Sequence, residues 1–189
     1  MKTKKFTTSQ LTILGLMAGI LFLMAYTPLG YLNIGPLAVT FNVIPVAVCA
    51  IVLGPTGGAI AGAVFGLTSF MQAIGIGGVS ALGSALFQIN PFMTAVQCFG
   101  PRILDGICIG FIYRAVHKKA NTYVSCAVTG FFSAFLNTLF FMTALIVMFG
   151  NTELIRNLMG GHNIIVGCCL MVGVNAISEM VSSTIITAA

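Results

Sequence analysis

Charge is what this sequence has least of. Eight Lys and Arg and three Asp and Glu make up 6% of 189 residues. A soluble domain carries about 25% charged residues, so this chain has too little polar surface to face water. With 58% hydrophobic residues and a mean hydropathy of +1.08, it belongs to the membrane class. Several chemistries are missing too. There is no Gly-x-x-x-x-Gly-Lys-Ser/Thr loop to hold nucleotide phosphates, no His-Glu-x-x-His and no Gly-x-Ser-x-Gly. The two histidines are poorly placed as metal ligands. None of the six cysteines forms Cys-x-x-Cys, so they read as small buried hydrophobes. The sequence predicts no enzyme, no cofactor and no metal site.

What is present is a series of apolar runs, each near the roughly 20 residues that one spanning helix needs. The basic start followed by an apolar run imitates a secretory signal. However, Leu11–Tyr26 lacks a small-x-small cleavage site and further spans follow, so a retained first helix is expected. The predicted fold is an all-α bundle of six transmembrane helices in one domain, 1–189, with helices over about 8–26, 37–53, 58–73, 92–116, 122–149 and 163–186. Thr27-Pro28-Leu29-Gly30 ends the first helix. Gly54-Pro55-Thr56-Gly57 allows only a tight antiparallel return. The stretch Ile74–Pro91 is too polar and broken to span, and reads as a long loop with one re-entrant or surface turn. A short loop follows from Gly150 to about Gly161.

The net charge of +5 is not a nucleic-acid footprint, because it collects at helix ends. Placing Lys2, Lys4, Lys5, Arg114, Lys118 and Lys119 inside leaves only Arg156 outside. The positive-inside rule then puts both termini in the cytoplasm. The inner connections are short, and the outer loops hold most of the Gly, Asn and Ser. Irregular backbone of this kind suits a lid over an outward-facing pocket.

Arg102, Asp105 and Glu179 fall inside otherwise apolar spans. An ionisable side chain at the bilayer centre costs about 2.5–3.5 kcal/mol by insertion scales, so it needs a partner, a cavity or a ligand. Arg102 lies about 15 Å deep by helix rise. Two readings stay open: an i,i+3 ion pair with Asp105, or bidentate binding of a ligand carboxylate or phosphate with Asp105 as orienter. Asn42, Gln72, Gln97, Asn137 and Asn175 reach similar depth on other helices, joined by Thr68 and Ser69. Each alone reads as an interhelical hydrogen bond; together they point to a polar substrate cavity. Glu179 reads as deeper and structural or subunit-facing, and His162 as a rim residue. Small residues recur at steps of four, Gly15 and Gly19 in the first helix and Gly58, Gly62 and Gly66 in the third. They serve either internal packing or docking of a second membrane subunit.

The stretches Tyr26-Thr-Pro-Leu-Gly-Tyr, Asn42-Val-Ile-Pro-Val, Leu53-Gly-Pro-Thr-Gly-Gly-Ala, Val64-Phe-Gly-Leu-Thr-Ser and Phe99-Gly-Pro-Arg-Ile-Leu-Asp-Gly resemble the substrate-binding S components of energy-coupling factor (ECF) vitamin transporters. The Pro-Arg-Ile segment looks most like the pantothenate group, with pyridoxine, hydroxymethylpyrimidine and cobalamin relatives close behind. The resemblance implies a vitamin captured from outside under the loops between helices 1–2, 3–4 and 5–6. It also implies docking through helices 1–3 on a transmembrane coupling subunit bound to two ATPase subunits, in a bacterial plasma membrane. Toppling in the membrane then releases the cargo inside. Family members often carry Ala-x-x-x-Ala where this chain has Gly15 and Gly19. Two other classes compete: a self-sufficient ion-coupled carrier, which needs an internal repeat or an ion site, and a scaffold whose polar residues only join helices.

Overall fold

A computed structural model describes residues 6–27, 31–33, 38–77, 80–158 and 164–189. The first helix, α1 (Thr8–Tyr26), begins at a reciprocal cap. Thr7 Oγ1 accepts from the Gln10 amide, and Gln10 Oε1 accepts from the Thr7 amide at 3.0 Å, so two orphan helix-end donors are satisfied.

The next segment departs from expectation. Instead of a loop running straight into a helix at 37, a two-stranded antiparallel ribbon forms from β1 (Tyr31–Asn33) and β2 (Ala38–Thr40), with Tyr31 opposite Thr40 and Leu32 opposite Val39. Val39 and Thr40 are β-branched and favour a strand. Because β2 takes these residues, α2 (Val43–Ile74) starts six positions later than predicted.

Helix α2 is two arms joined at Gly54, whose φ of 75° and ψ of −167° lie in a region essentially reserved for glycine. Pro55 opens the second arm, where its fixed φ suits a helix start. Residues eight apart in a straight helix are about 12 Å apart along the axis. Yet a methyl on Gly58 would sit 2.9 Å from Ala50 Cβ, so the chain doubles back as the Gly54–Gly57 signal predicted. The second arm ends at Gly75, in a left-handed conformation (φ 91°) whose amide and that of Ile76 cap the Gln72 and Met71 carbonyls.

The stretch read as a loop holds a helix, α3 (Ala81–Ile89), capped by Ser80 Oγ, which accepts from Gly83 N at 3.1 Å. Glycine and serine weaken a helix but do not forbid it once Leu86 has a core to enter. Asn90 then starts α4 (Pro91–His117), its side chain accepting from the Phe92 and Met93 amides. Helix α5 (Thr122–Phe149) matches its predicted span. The short α6 (Glu153–Leu158) occupies part of another expected loop, and α7 (Ile164–Ala188) closes the chain.

In space α4 lies between α2 and α5, α5 packs on α7, and α1 leans on α2. Among the described residues, α1, α2, α4 and α5 are long and apolar enough to cross a membrane. Large apolar side chains on the outside, such as Leu16, Leu104, Phe111 and Val147, meet lipid at no cost there. Two apolar cores form. One gathers Leu21, Val43, Val46, Phe65, Ile109 and Ala134; the other gathers Leu86, Met142, Leu145, Phe149 and Ile155. On α5 the polar Asn137 falls between Ala134 of the first and Met142 of the second.

Candidate functional site

Arg102 lies mid-way along α4, and its neighbour Pro101 explains its pose. Proline has no N–H, so inside α4 it leaves the carbonyl four residues earlier, that of Gln97, without its helical donor. Helical side chains lean toward the N-terminus. Arg102 follows that lean, and its Nη1 donates to the Gln97 carbonyl at 3.4 Å and to the Cys98 carbonyl at 3.2 Å. The rings of Phe65 and Phe141 flank the guanidinium, their centroids 4.6 and 5.4 Å from its central carbon, and a cation over aromatic faces is stabilised when desolvated. The Nε of Arg102 is buried and has no hydrogen-bond partner.

The Arg102–Asp105 ion pair, one of the two readings left open, is not formed. Arg102 reaches backward along α4 to carbonyls, while Asp105 stands nearly a turn ahead, 2% exposed, with Oδ1 unpartnered.

The other predicted residues divide. Asn42 is fully buried, and both atoms of its side-chain amide lack partners; its backbone N–H is held by Thr40 Oγ1 at 3.3 Å. Gln97 is 1% exposed; its Nε2 donates to the Phe141 carbonyl at 2.9 Å, while Oε1 is unpartnered. Asn137 and Asn175 are buried on α5 and α7. Gln72 goes elsewhere: its Nε2 donates to the Ala25 carbonyl at 2.7 Å, joining α2 to α1. Thr68 Oγ1 turns back on its own helix, to the Phe65 carbonyl. His162 lies outside the described residues.

Glu179 is 5% exposed on α7. Its Oε1 accepts from the backbone N–H of Thr40 at 2.6 Å, binding the exit of the β-ribbon to α7. Phe65, Phe141, Pro101 and Glu179 were not among the site residues read from sequence. The Pro-Arg pair was the available signal for one of them; the aromatic clamp joins three helices and has no local signature.

The docking glycines also divide. A methyl on Gly58 would run into the Gly106 carbonyl, one on Gly62 into the Arg102 carbonyl, and one on Gly66 into the Cys98 carbonyl and Phe99. All three are buried. This stripe is occupied by α4 of the same chain, so it is no open docking face, and packing at backbone distance is the reason. Gly15 and Gly19, in contrast, are exposed, with open space where a side chain would be.

Among the described residues, no three His, Cys, Asp or Glu side chains gather to hold a metal. What the arrangement offers is one guanidinium clamped between two rings and two carbonyls, and buried amides on the neighbouring helices. These features define a multi-pass helical membrane protein with a half-buried guanidinium between its helices.

The family model for the ECF transporter, substrate-specific component, matches residues 9–189, and the chain belongs to that family. It is similar to the pantothenate transporter PanT of Leuconostoc mesenteroides subsp. mesenteroides, 32% identical over 173 residues that cover 88% of this chain and 79% of the relative. It is also similar to the pantothenic acid transporter PanT of Lactococcus lactis subsp. cremoris, 27% identical over 98% of this chain and 93% of that one. The protein is therefore a transporter component of a family that is not an enzyme class.

Proposed function

We propose that this chain is the high-affinity vitamin-binding subunit of an ATP-driven ECF importer in a bacterial plasma membrane, and that its cargo is pantothenate. The observation that carries the reading is the buried Nε of Arg102, which has no hydrogen-bond acceptor within its own chain. Pantothenate ends in a carboxylate, and a guanidinium edge binds a carboxylate with two parallel charge-assisted bonds. Asn42 and Gln97 hold further unpartnered amide atoms for the neutral amide and hydroxyls of the vitamin, and Asn137 and Asn175 are assigned to the same pocket. The names of the two relatives support the same cargo.

In this reading six helical segments cross the membrane, α2 supplying two, and both termini lie inside. Arg114, whose guanidinium lies across the Gly54 turn, and Lys118 and Lys119 mark the cytoplasmic end. The β-ribbon, α3 and α6 belong to the outer side and cover the pocket. ATP is hydrolysed by two partner subunits, and the coupling subunit docks on the open Gly15 and Gly19 face of α1.

The test is pantothenate binding to the purified chain in detergent. Arg102→Ala is expected to weaken it by about a hundredfold or more, the scale of losing one member of a desolvated charge pair, with the thermal unfolding of the unliganded protein little changed. Undiminished affinity in that variant, or selective binding of neutral pyridoxine in its place, would overturn the proposal.

A further inference from the structure

The pose of Arg102 depends on an atom that is not there, the amide hydrogen of residue 101. Inside a membrane every backbone carbonyl needs a donor, because no water is present to supply one. With any residue other than proline at 101, the Gln97 carbonyl is the acceptor of an ordinary i→i−4 helical bond. Pro101 vacates that acceptor, and Nη1 of Arg102 takes it together with the Cys98 carbonyl. The guanidinium plane is then fixed at one corner by two carbonyls and on its faces by Phe65 and Phe141. A guanidinium has fixed two-donor edges. Spending Nη1 on the helix leaves the Nε–Nη2 edge, and Nε is the atom found buried without a partner.

We propose that Pro101 is a positioning residue for carboxylate recognition. By freeing the Gln97 carbonyl it anchors Nη1, and so presents the Nε–Nη2 edge of Arg102 side-on to the acid group of the ligand. The inference rests on the reading of Arg102 as the carboxylate site and assigns the device that orients it. It also accounts for a proline in the middle of a spanning helix, directly before the clamped cation.

The experiment compares two probes, pantothenate and pantothenol, the analogue in which a primary alcohol replaces the carboxylate. Pro101→Ala and Pro101→Ser each restore an N–H and suit a helix better than proline. In both variants the affinity for pantothenate is expected to fall about tenfold, the size of one hydrogen bond to a charged group. The affinity for pantothenol is expected to stay within about twofold, since a neutral alcohol draws little from the oriented edge. The acid-over-alcohol preference of the wild-type protein therefore collapses by about tenfold. An equal loss for both probes, or an unchanged preference in a folded variant, overturns the role of Pro101. A wild-type protein that does not prefer the acid removes the carboxylate site itself, which tells that failure apart.

Discussion

The two glycine stripes have the same spacing and opposite fates. Gly58, Gly62 and Gly66 lie against the backbone of α4, where Gly106 makes the contact reciprocal: a methyl there would strike the Gly58 carbonyl. Gly15 and Gly19 face open space, and of α1 only Leu21 and Ala25 are buried. Steps of four small residues say that a backbone can come close. They do not say which one. The difference lies in whether the same chain carries a matching stripe, as α4 does with Gly106 and Gly110, the latter close against Pro55.

The harshest way to break this contrast is Gly62→Leu. The new side chain meets the Arg102 carbonyl, so α4 must move and the guanidinium moves with it. Overpacking of this kind costs about 1–3 kcal/mol and occasionally more. Thermal unfolding in detergent should register the loss, and pantothenate binding should vanish; a variant of ordinary stability that binds normally would mean the stripe is loose. Next comes the double variant Gly15→Leu with Gly19→Leu. Its stability should change by less than about 0.5 kcal/mol, as for surface positions, and binding should be unaffected, whereas uptake by the assembled transporter should fall at least about tenfold. Normal uptake would remove α1 as the docking face. Asn42→Ala is expected to weaken binding by roughly tenfold, since its amide has no partner in the chain to lose. The smallest effect is assigned to Gln72→Ala: about 1 kcal/mol of stability from the lost bond to Ala25, with affinity within twofold. A large affinity loss there would return Gln72 to the ligand site.

Much of the scaffold was legible because the lipid solvent enforces it. The ranges of α1 and α5 coincide with the apolar runs, and Gly54-Pro55 is the reversal its composition implies. The shorter pieces were not legible. The β-ribbon, α3 and α6 are held by pairing and by contacts such as Leu86 with Phe149 and Ile155, which no local composition announces. The site was half legible. That Asn42 and Gln97 are polar side chains inside the bundle was visible from their apolar surroundings, whereas the pose of Arg102 turns on a proline effect one residue before it. Glu179 read as structural or subunit-facing, and its bond to the Thr40 amide ties α7 to the ribbon, a long-range pairing that no local pattern specifies.

The bond between the Thr40 amide and Glu179 joins residues 139 positions apart in the chain. At common rates of synthesis, that interval takes about ten seconds or more. During that time the ribbon's exit has been made and its acceptor has not. This junction of ribbon and bundle is consequently completed last, when the final helix enters the bilayer. A nascent chain stalled before residue 179 carries a ribbon with nothing to fasten it.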